Sequence, residues 1–293
     1  MIPDRLTALD ASFVWFERPG IPLHVGGVAT FEAGPLTDPS GRLRLDDIRD
    51  QVSARLDALP RMRRRLAAVP LDVDRPYWVD DPGFDIARHV REVRLPPPGD
   101  EDALRSLAGD LLSQVLPRDR PLWDLVFVTG LDRGRVGLVE RVHHALVDGV
   151  SGVELATLLL DLEPDAPPAH GSAWAPGPAP DGDALLAASV RRGLAAPLRA
   201  AGAVAALARH PTGAARAART VAGGLIPLVH DGLLAPRSSL NAPLAGARRL
   251  GWVRATVDDA RRAGRPANAT LNDVVLAAVA GGLRHLALER GEQ

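Results

Sequence analysis

The sequence contains no cysteine and no lysine among its 293 residues. The lack of cysteine excludes disulfides, thiol nucleophiles and cysteine-ligated zinc or iron–sulfur sites. The lack of lysine reflects GC-rich codon usage better than it reflects function. No uninterrupted apolar run reaches the ~18–20 residues that span a bilayer, and MIPDRLTALD lacks the apolar core of a secretory signal. A net charge of −1 argues against nucleic-acid binding. We therefore expect a cytoplasmic protein, either free or peripheral to a membrane.

Apolar periodicity predicts strands and helices that alternate along the first half of the chain. Two apolar runs that flank Gly134 predict a hairpin, and Thr270 with Asp273 has the spacing of a capping box. The predicted strands are 23–32, 122–131, 135–142 and 248–258, and the predicted helices are 45–59, 102–116, 149–162 and 270–291. Residues 163–183 are rich in proline and glycine and are predicted to be a linker.

The stretch HHALVDG at 143–149 places two adjacent histidines where a predicted strand ends and a predicted helix begins. His144 and Asp148 could ligate a metal, but a third ligand at recognisable spacing is missing. Alternatively, one histidine fills the core and Asp148 caps the following helix. In the third interpretation one imidazole acts as a general base in a cleft, while the other histidine and the Asp-Gly turn hold it in place.

We favour the general-base interpretation for the motif as a whole. For His143 and Asp148 taken individually, packing or capping is favoured over direct chemistry. His24, within a predicted strand, is interpreted as a satisfied core residue rather than a ligand. Rival chemistries find little support, because the chain has no Gly-x-Ser-x-Gly elbow, P-loop or Gly-x-Gly-x-x-Gly sequence.

HHALVDG matches the His-His-x-x-x-Asp-Gly motif of the CoA-dependent acyltransferase superfamily, which includes chloramphenicol acetyltransferase and peptide-synthetase condensation domains. Further stretches occur in the order found in bacterial wax ester synthase/diacylglycerol acyltransferases, and the chain resembles that family over nearly its whole length. These stretches are LTALDASFVWFE (6–17), PLHVGG (22–27), RPLWD (120–124), SLNAP (239–243) and LNDVVLA (271–277). Ala242 stands where the family pattern has glycine, and family members are roughly one and a half times as long.

The resemblance implies a role for each matching residue. His144 is the general base, His143 positions it, Asp148 holds the loop through an arginine or backbone pairing, and Gly149 forms the turn. Asn272 is the candidate oxyanion donor, while capping explains Asp273 without catalysis. The Pro-Leu-Trp motif of Pro121, Leu122 and Trp123 is assigned to a substrate channel, although a tryptophan that opens a buried strand is more often a core residue.

The implied fold is the α/β chloramphenicol acetyltransferase-like fold, with a mixed sheet flanked by helices. The implied reaction moves a fatty acyl group from acyl-CoA to the hydroxyl of diacylglycerol or a long-chain alcohol, making triacylglycerol or wax ester. Acyl-CoA is then a substrate, and no cofactor or metal is expected. One alternative is a condensation-type acyltransferase that uses a carrier-protein thioester. The other is a catalytically silent lipid-binding homologue.

The expected organisation is an N-terminal acyltransferase domain over 1–162, a linker and helical crossover over 163–240, and the start of a truncated or cleaved C-terminal domain over 241–293. The missing C-terminal half is therefore an expected partner. Residues 184–230 carry several arginines and no acid. Such a segment suits either the surface of an anionic membrane or lipid droplet, or a crossover packed between two halves.

Overall fold

A four-stranded mixed sheet forms the centre of the first part of the chain. The computed structural model describes residues 4–147, 171, 174–197, 238–243 and 246–292. The strands lie in the order β2-β7-β6-β5, with β5 parallel to β6 and the other neighbours antiparallel. They are β2 (His24–Glu32), β5 (Val90–Arg94), β6 (Trp123–Leu131) and β7 (Arg135–His143).

Strands β6 and β7 form the predicted hairpin. Arg133 and Gly134 occupy the turn with φ values of 56° and 63°, a left-handed conformation that glycine adopts without strain. β7 is a central strand, and its side chains are buried along nearly the whole of its length. The end of β7, where the two histidines stand, is therefore held by neighbours on both sides.

A smaller antiparallel sheet has the order β1-β4-β3. Its strands are β1 (Asp4–Arg5), β3 (Arg64–Ala67) and β4 (Tyr77–Asp80). The helices of this part of the chain are α1 (Ala8–Phe16), α2 (Leu45–Arg55), α3 (Glu101–Ser113), the single turn α4 (His144–Val147) and α5 (Gly182–Leu194). Thr7 and Asp10 form a capping box that starts α1, and Asp100 caps α3.

The main core lies between one face of the large sheet and the elements around α1 and α2. It includes Leu6, Val14, Leu56, Trp123 and Leu125. α5 lies against the small sheet, where Leu185 joins a second cluster with Tyr77 and Val79. Mixed sheets flanked by helices agree with the predicted α/β class.

The chain divides into two compact units, Met1–Ala200 with Ala245–Leu250 and Ala201–Leu244 with Gly251–Gln293. In the second unit, α6 (Val257–Gly264) and α7 (Leu271–Glu289) are helices. Thr270 and Asp273 form the predicted capping box, and Gly291 follows the helix with φ +72°. α7 also has the length and apolar composition of a membrane-crossing helix, which core helices of soluble proteins share.

The strand predicted at 248–258 is wrong. Residues 247–256 are irregular, and Thr256 caps the start of α6. β-branched residues suggested a half-buried strand, but Val253 is 95% exposed and packs on no sheet. The predicted helix 149–162 lies outside the described residues, as do 198–230 of the arginine-containing stretch. In the predicted linker, residues 174–181 are irregular before α5 begins.

Candidate functional site

The two histidines straddle the junction between β7 and α4. The His143 amide donates to the Leu122 carbonyl at 2.9 Å, and the His144 amide donates to the Leu23 carbonyl at 3.0 Å. These acceptors belong to the segments that enter β6 and β2, the two neighbours of β7. The backbone at the junction is therefore fixed from both sides, and successive side chains leave it in different directions.

His143 is fully buried, and polar groups face both of its ring nitrogens. The Ala145 amide donates to Nδ1 at 3.0 Å, so Nδ1 carries no proton and the neutral ring holds its proton on Nε2. Nε2 faces Glu17 Oε1 at 3.5 Å, an ion-pair distance longer than an ordinary hydrogen bond. Nε2 forms no hydrogen bond within the described residues, but it is buried, so neither ring nitrogen of His143 is open to a substrate.

His144 has a different environment. It is only partly buried, and its ring stacks on Phe13 of α1 with centroids 4.8 Å apart and planes 18° apart. No described side chain forms a hydrogen bond with this ring. A partly exposed imidazole that is fixed by stacking can accept a proton from a substrate hydroxyl.

The buried carboxylate of Glu17 lies next to the His143 ring. Its Oε1 accepts the Leu23 amide at 3.0 Å, and its Oε2 accepts from Arg118 at 3.3 Å. Burial alone raises the pKa of the Glu17 carboxyl, but His143, the Leu23 amide and Arg118 outweigh burial and lower the pKa to about 2. Glu17 is therefore a carboxylate throughout the neutral pH range.

A buried ion pair anchors β7 near its end. Arg141 contacts Asp124 of β6 through Nε to Oδ1 at 2.9 Å and Nη2 to Oδ2 at 2.6 Å. The Nη1 group of Arg141 donates to the carbonyls of Leu111 and Gln114 at the end of α3, at 2.5 and 3.1 Å. Arg91 also donates to Asp124, at 3.0 Å. The charges are thus paired and hydrogen-bonded, as a buried pair requires.

His24 lies opposite His143 in the β2–β7 register. It is buried, as predicted, but neither ring nitrogen has a hydrogen-bond partner within the described part of the chain, so the prediction of a satisfied residue is wrong there. Burial and the positive charges of Arg141 and Arg248 lower the pKa of His24 to about 4. The ring is therefore neutral at pH 7.

Asp148, Gly149 and Asn272 are the other residues to which the sequence assigned a role in the reaction. Asp148 and Gly149 lie outside the described residues. Asn272 is exposed in the first turn of α7, in the second unit. Their assigned roles remain predictions.

The predicted channel residues Pro121, Leu122 and Trp123 are all buried. The Trp123 indole N–H donates to the Met62 carbonyl at 2.7 Å, and its ring stacks on His89 with centroids 4.5 Å apart. Leu122 and Trp123 are thus part of the main core. Their assignment to a channel remains a prediction.

Sequence reasoning missed Glu17, Phe13 and Arg118 as members of the site. A signal was available, because Phe13 and Glu17 fall within the stretch LTALDASFVWFE that supports the family resemblance. Within the described ranges, no group of three or more histidine, aspartate or glutamate side chains is arranged to hold a metal ion. Asp148, the second residue of the metal interpretation, is outside those ranges.

Comparisons with known proteins give a consistent result. The chain matches the family described as wax ester synthase/diacylglycerol acyltransferase catalytic domain over residues 6–275. A putative diacylglycerol O-acyltransferase of Mycobacterium tuberculosis is 35% identical over 297 residues, which are 98% of this chain and 56% of that protein. The probable diacylglycerol O-acyltransferase tgs3 of the same species is 35% identical over 268 residues, which are 88% of this chain and 94% of that protein.

Among solved structures, the wax ester synthase/diacylglycerol acyltransferase from Marinobacter aquaeolei VT8 matches with a TM-score of 0.63 and 26% identity. The match covers 99% of this chain and 62% of that chain. It confirms the predicted fold class. The chain thus spans just over half the length of the first relative, whereas tgs3 is covered almost completely.

Proposed function

Since the chain belongs to the wax ester synthase/diacylglycerol acyltransferase family, as its motifs predicted, we propose that it carries the base of an O-acyltransferase. The donor is a fatty acyl-CoA, and the acceptor is the hydroxyl of diacylglycerol or a long-chain alcohol. The general base is His144. The observation that supports this assignment is the contrast between a partly exposed His144 and a fully enclosed His143.

The reaction follows from the chemistry of the imidazole. An alcohol is a poor nucleophile at neutral pH, and a positioned base raises the rate by about 10²–10⁴. The His144 ring takes the hydroxyl proton while the oxygen attacks the thioester carbonyl. The tetrahedral intermediate then collapses, the carbon–sulfur bond breaks, and the proton passes from His144 to the CoA sulfur. The products are an ester and free CoA.

No acyl-enzyme is required, which fits a chain without cysteine. Asn272 is our candidate to stabilise the oxyanion of the intermediate. Asp148 and Gly149 are proposed to shape the turn that follows α4. Neither acyl-CoA nor the acceptor is a resident cofactor, because both are consumed.

We also propose that full turnover needs a C-terminal half like that of the longer relatives. The support is the coverage of 56% of the first relative and 62% of the solved structure. The match to nearly all of tgs3 is the reason to assay the isolated chain as well.

The lipid substrates suggest contact with a membrane or lipid droplet from the cytoplasm. Binding of the chain to anionic vesicles in a flotation experiment would test that location.

The direct test is release of CoA thiol from a long-chain acyl-CoA with diacylglycerol or hexadecanol as acceptor. The chain has no thiol of its own, so it adds no background to a thiol reagent that reports CoA. The products should be triacylglycerol or wax ester in amounts equal to the CoA released. The assay is run on the chain alone and with the C-terminal half of a longer relative added in trans. Full activity of the chain alone would refute the need for a second half.

The two alternatives give different results in the same assay. Turnover of a carrier-protein thioester but not of acyl-CoA would identify a condensation-type enzyme. Binding of acyl-CoA without turnover, even with the second half supplied, would identify a silent lipid-binding homologue. Either result would overturn the proposed function.

A further inference from the structure

Glu17 takes part in several of the described contacts around the two histidines. Its carboxylate is buried at the end of α1 and faces His143, the Leu23 amide and Arg118. Arg118 also donates to the Val14 carbonyl of α1 at 2.6 Å. One carboxylate thus joins a helix end, the start of β2, the segment before β6 and the end of β7.

Two of these connections run to the backbone on either side of His144. Glu17 faces Nε2 of His143, whose Nδ1 accepts the amide of Ala145, the residue after His144. Glu17 also accepts the Leu23 amide, while the Leu23 carbonyl accepts the amide of His144 itself.

The third connection runs to the His144 ring. Phe13, on which that ring stacks, lies one helical turn before Glu17, and the Glu17 amide donates to the Phe13 carbonyl at 3.1 Å. Displacement of the end of α1 therefore moves the stacking partner together with the carboxylate.

The contacts also select a single form of His143. A backbone amide can only donate, so its bond to Nδ1 requires the proton to be on Nε2. A carboxylate facing Nε2 favours the same tautomer. Glu17 and His143 are therefore suited to hold the junction between β7 and α4 in one arrangement, not to exchange protons with a substrate.

We propose that Glu17 is a positioning residue for His144, acting through the His143 tautomer and the end of α1. This inference rests on the proposed function, in which His144 is the base. It predicts that loss of the Glu17 charge lowers kcat while leaving the KM for acyl-CoA nearly unchanged. A misplacement of about 1 Å at a reacting group costs on the order of 10²-fold in rate, so we expect kcat to fall by ~10- to 10²-fold.

The test uses Glu17→Gln and Glu17→Asp in the chain with the second half added. Glu32→Gln, at an exposed glutamate of β2, is the matched control and should retain the kcat of the unmodified chain. Glu17→Asp should recover part of the activity because it keeps the charge. Nitrogen-15 NMR of the histidine rings provides a readout that a merely structural role would not move. The unmodified chain should show His143 only as the Nε2–H tautomer, and Glu17→Gln should show a mixture.

The NMR measurement separates this inference from the proposed function. If the unmodified chain has no turnover, a changed His143 tautomer and a loss of the Phe13 ring-current shift on His144 in Glu17→Gln still support the positioning role. An unchanged tautomer and unchanged His144 shifts in Glu17→Gln would overturn it. Normal kcat in Glu17→Gln would overturn it as well, while leaving the acyltransferase proposal intact.

Discussion

Replacement of each histidine by alanine should separate chemistry from stability. His144→Ala removes the proton acceptor from the transition state, so kcat should fall by ~10²-fold or more with little change in acyl-CoA binding. The only described ring contact that is lost is the stack on Phe13, and such a pair contributes about 0.5–1.5 kcal/mol. The melting temperature should therefore fall by only a few degrees.

His143→Ala should lower the stability of the fold more than His144→Ala does, and kcat less. The substitution leaves the Glu17 carboxylate and the Ala145 amide buried without the histidine as a partner. Glu17 keeps the Leu23 amide and Arg118 as partners, whereas the Ala145 amide loses its acceptor. One unsatisfied buried polar group costs about 1–3 kcal/mol, so we expect a loss of that size in the free energy of unfolding. For a chain of this size, that corresponds to a fall of roughly 2–10 °C in melting temperature. Its kcat should fall less than that of His144→Ala when compared per folded molecule.

The assay pairs thiol release, with both acceptors, with a melting curve for each variant. His285→Ala, at an exposed histidine of α7, controls for removal of an imidazole and should change neither quantity by much. Equal losses of kcat in the His143 and His144 variants, with equal melting temperatures, would refute the division of roles. Recovery of activity on addition of zinc would support the metal interpretation instead.

Three further predictions concern the surroundings of the site. Asp124→Ala should cost about 3–5 kcal/mol because it leaves Arg141 buried and unpaired, whereas Asp119→Ala, at an exposed pair, should cost less than about 1 kcal/mol in chemical unfolding. The pKa of His24 is about 4 in the folded chain against 6.5 in the unfolded one, so the unfolded chain binds the extra proton between these values. The contribution of His24 to the free energy of unfolding should be complete above pH 6.5. It should fall by at most about 1.4 kcal/mol per pH unit as the pH drops towards 4. A similar dependence of stability on pH in His24→Phe would contradict this prediction. Trp123→Phe should lower stability by ~1–3 kcal/mol without altering acyl chain-length preference, and a changed preference at unchanged stability would assign Trp123 to the channel.

Local patterns in the sequence predicted most of the described secondary structure. The apolar runs around Gly134 gave the hairpin, and Thr270 with Asp273 gave the start of α7, because turns and caps depend on residues a few positions apart. The strand prediction for 248–258 was wrong, because β-branched residues favour a strand only where a sheet is available to pack on. There the local cap at Thr256 decided the structure.

The candidate site was predictable only in part, for the same reason. HHALVDG identified the histidines from seven adjacent positions. Glu17 and Arg118 are 101 positions apart in sequence, and their contact with each other depends on the fold. Spacing alone could not have paired Glu17 with His143, nor could it have distinguished which histidine is enclosed.

The distance along the chain between these partners has a consequence for folding. The contacts from α1 and the start of β2 reach His143 and His144 only after the whole intervening segment has been made and β2 has paired with β7. Closing a loop of this length costs entropy that grows as (3/2)RT ln n, and domains rich in such distant contacts fold slowly. During synthesis on the ribosome, the histidine junction should therefore be among the last parts of the first unit to become ordered. Protection of the Ala145 amide from hydrogen exchange should then appear late in refolding, together with that of Leu23.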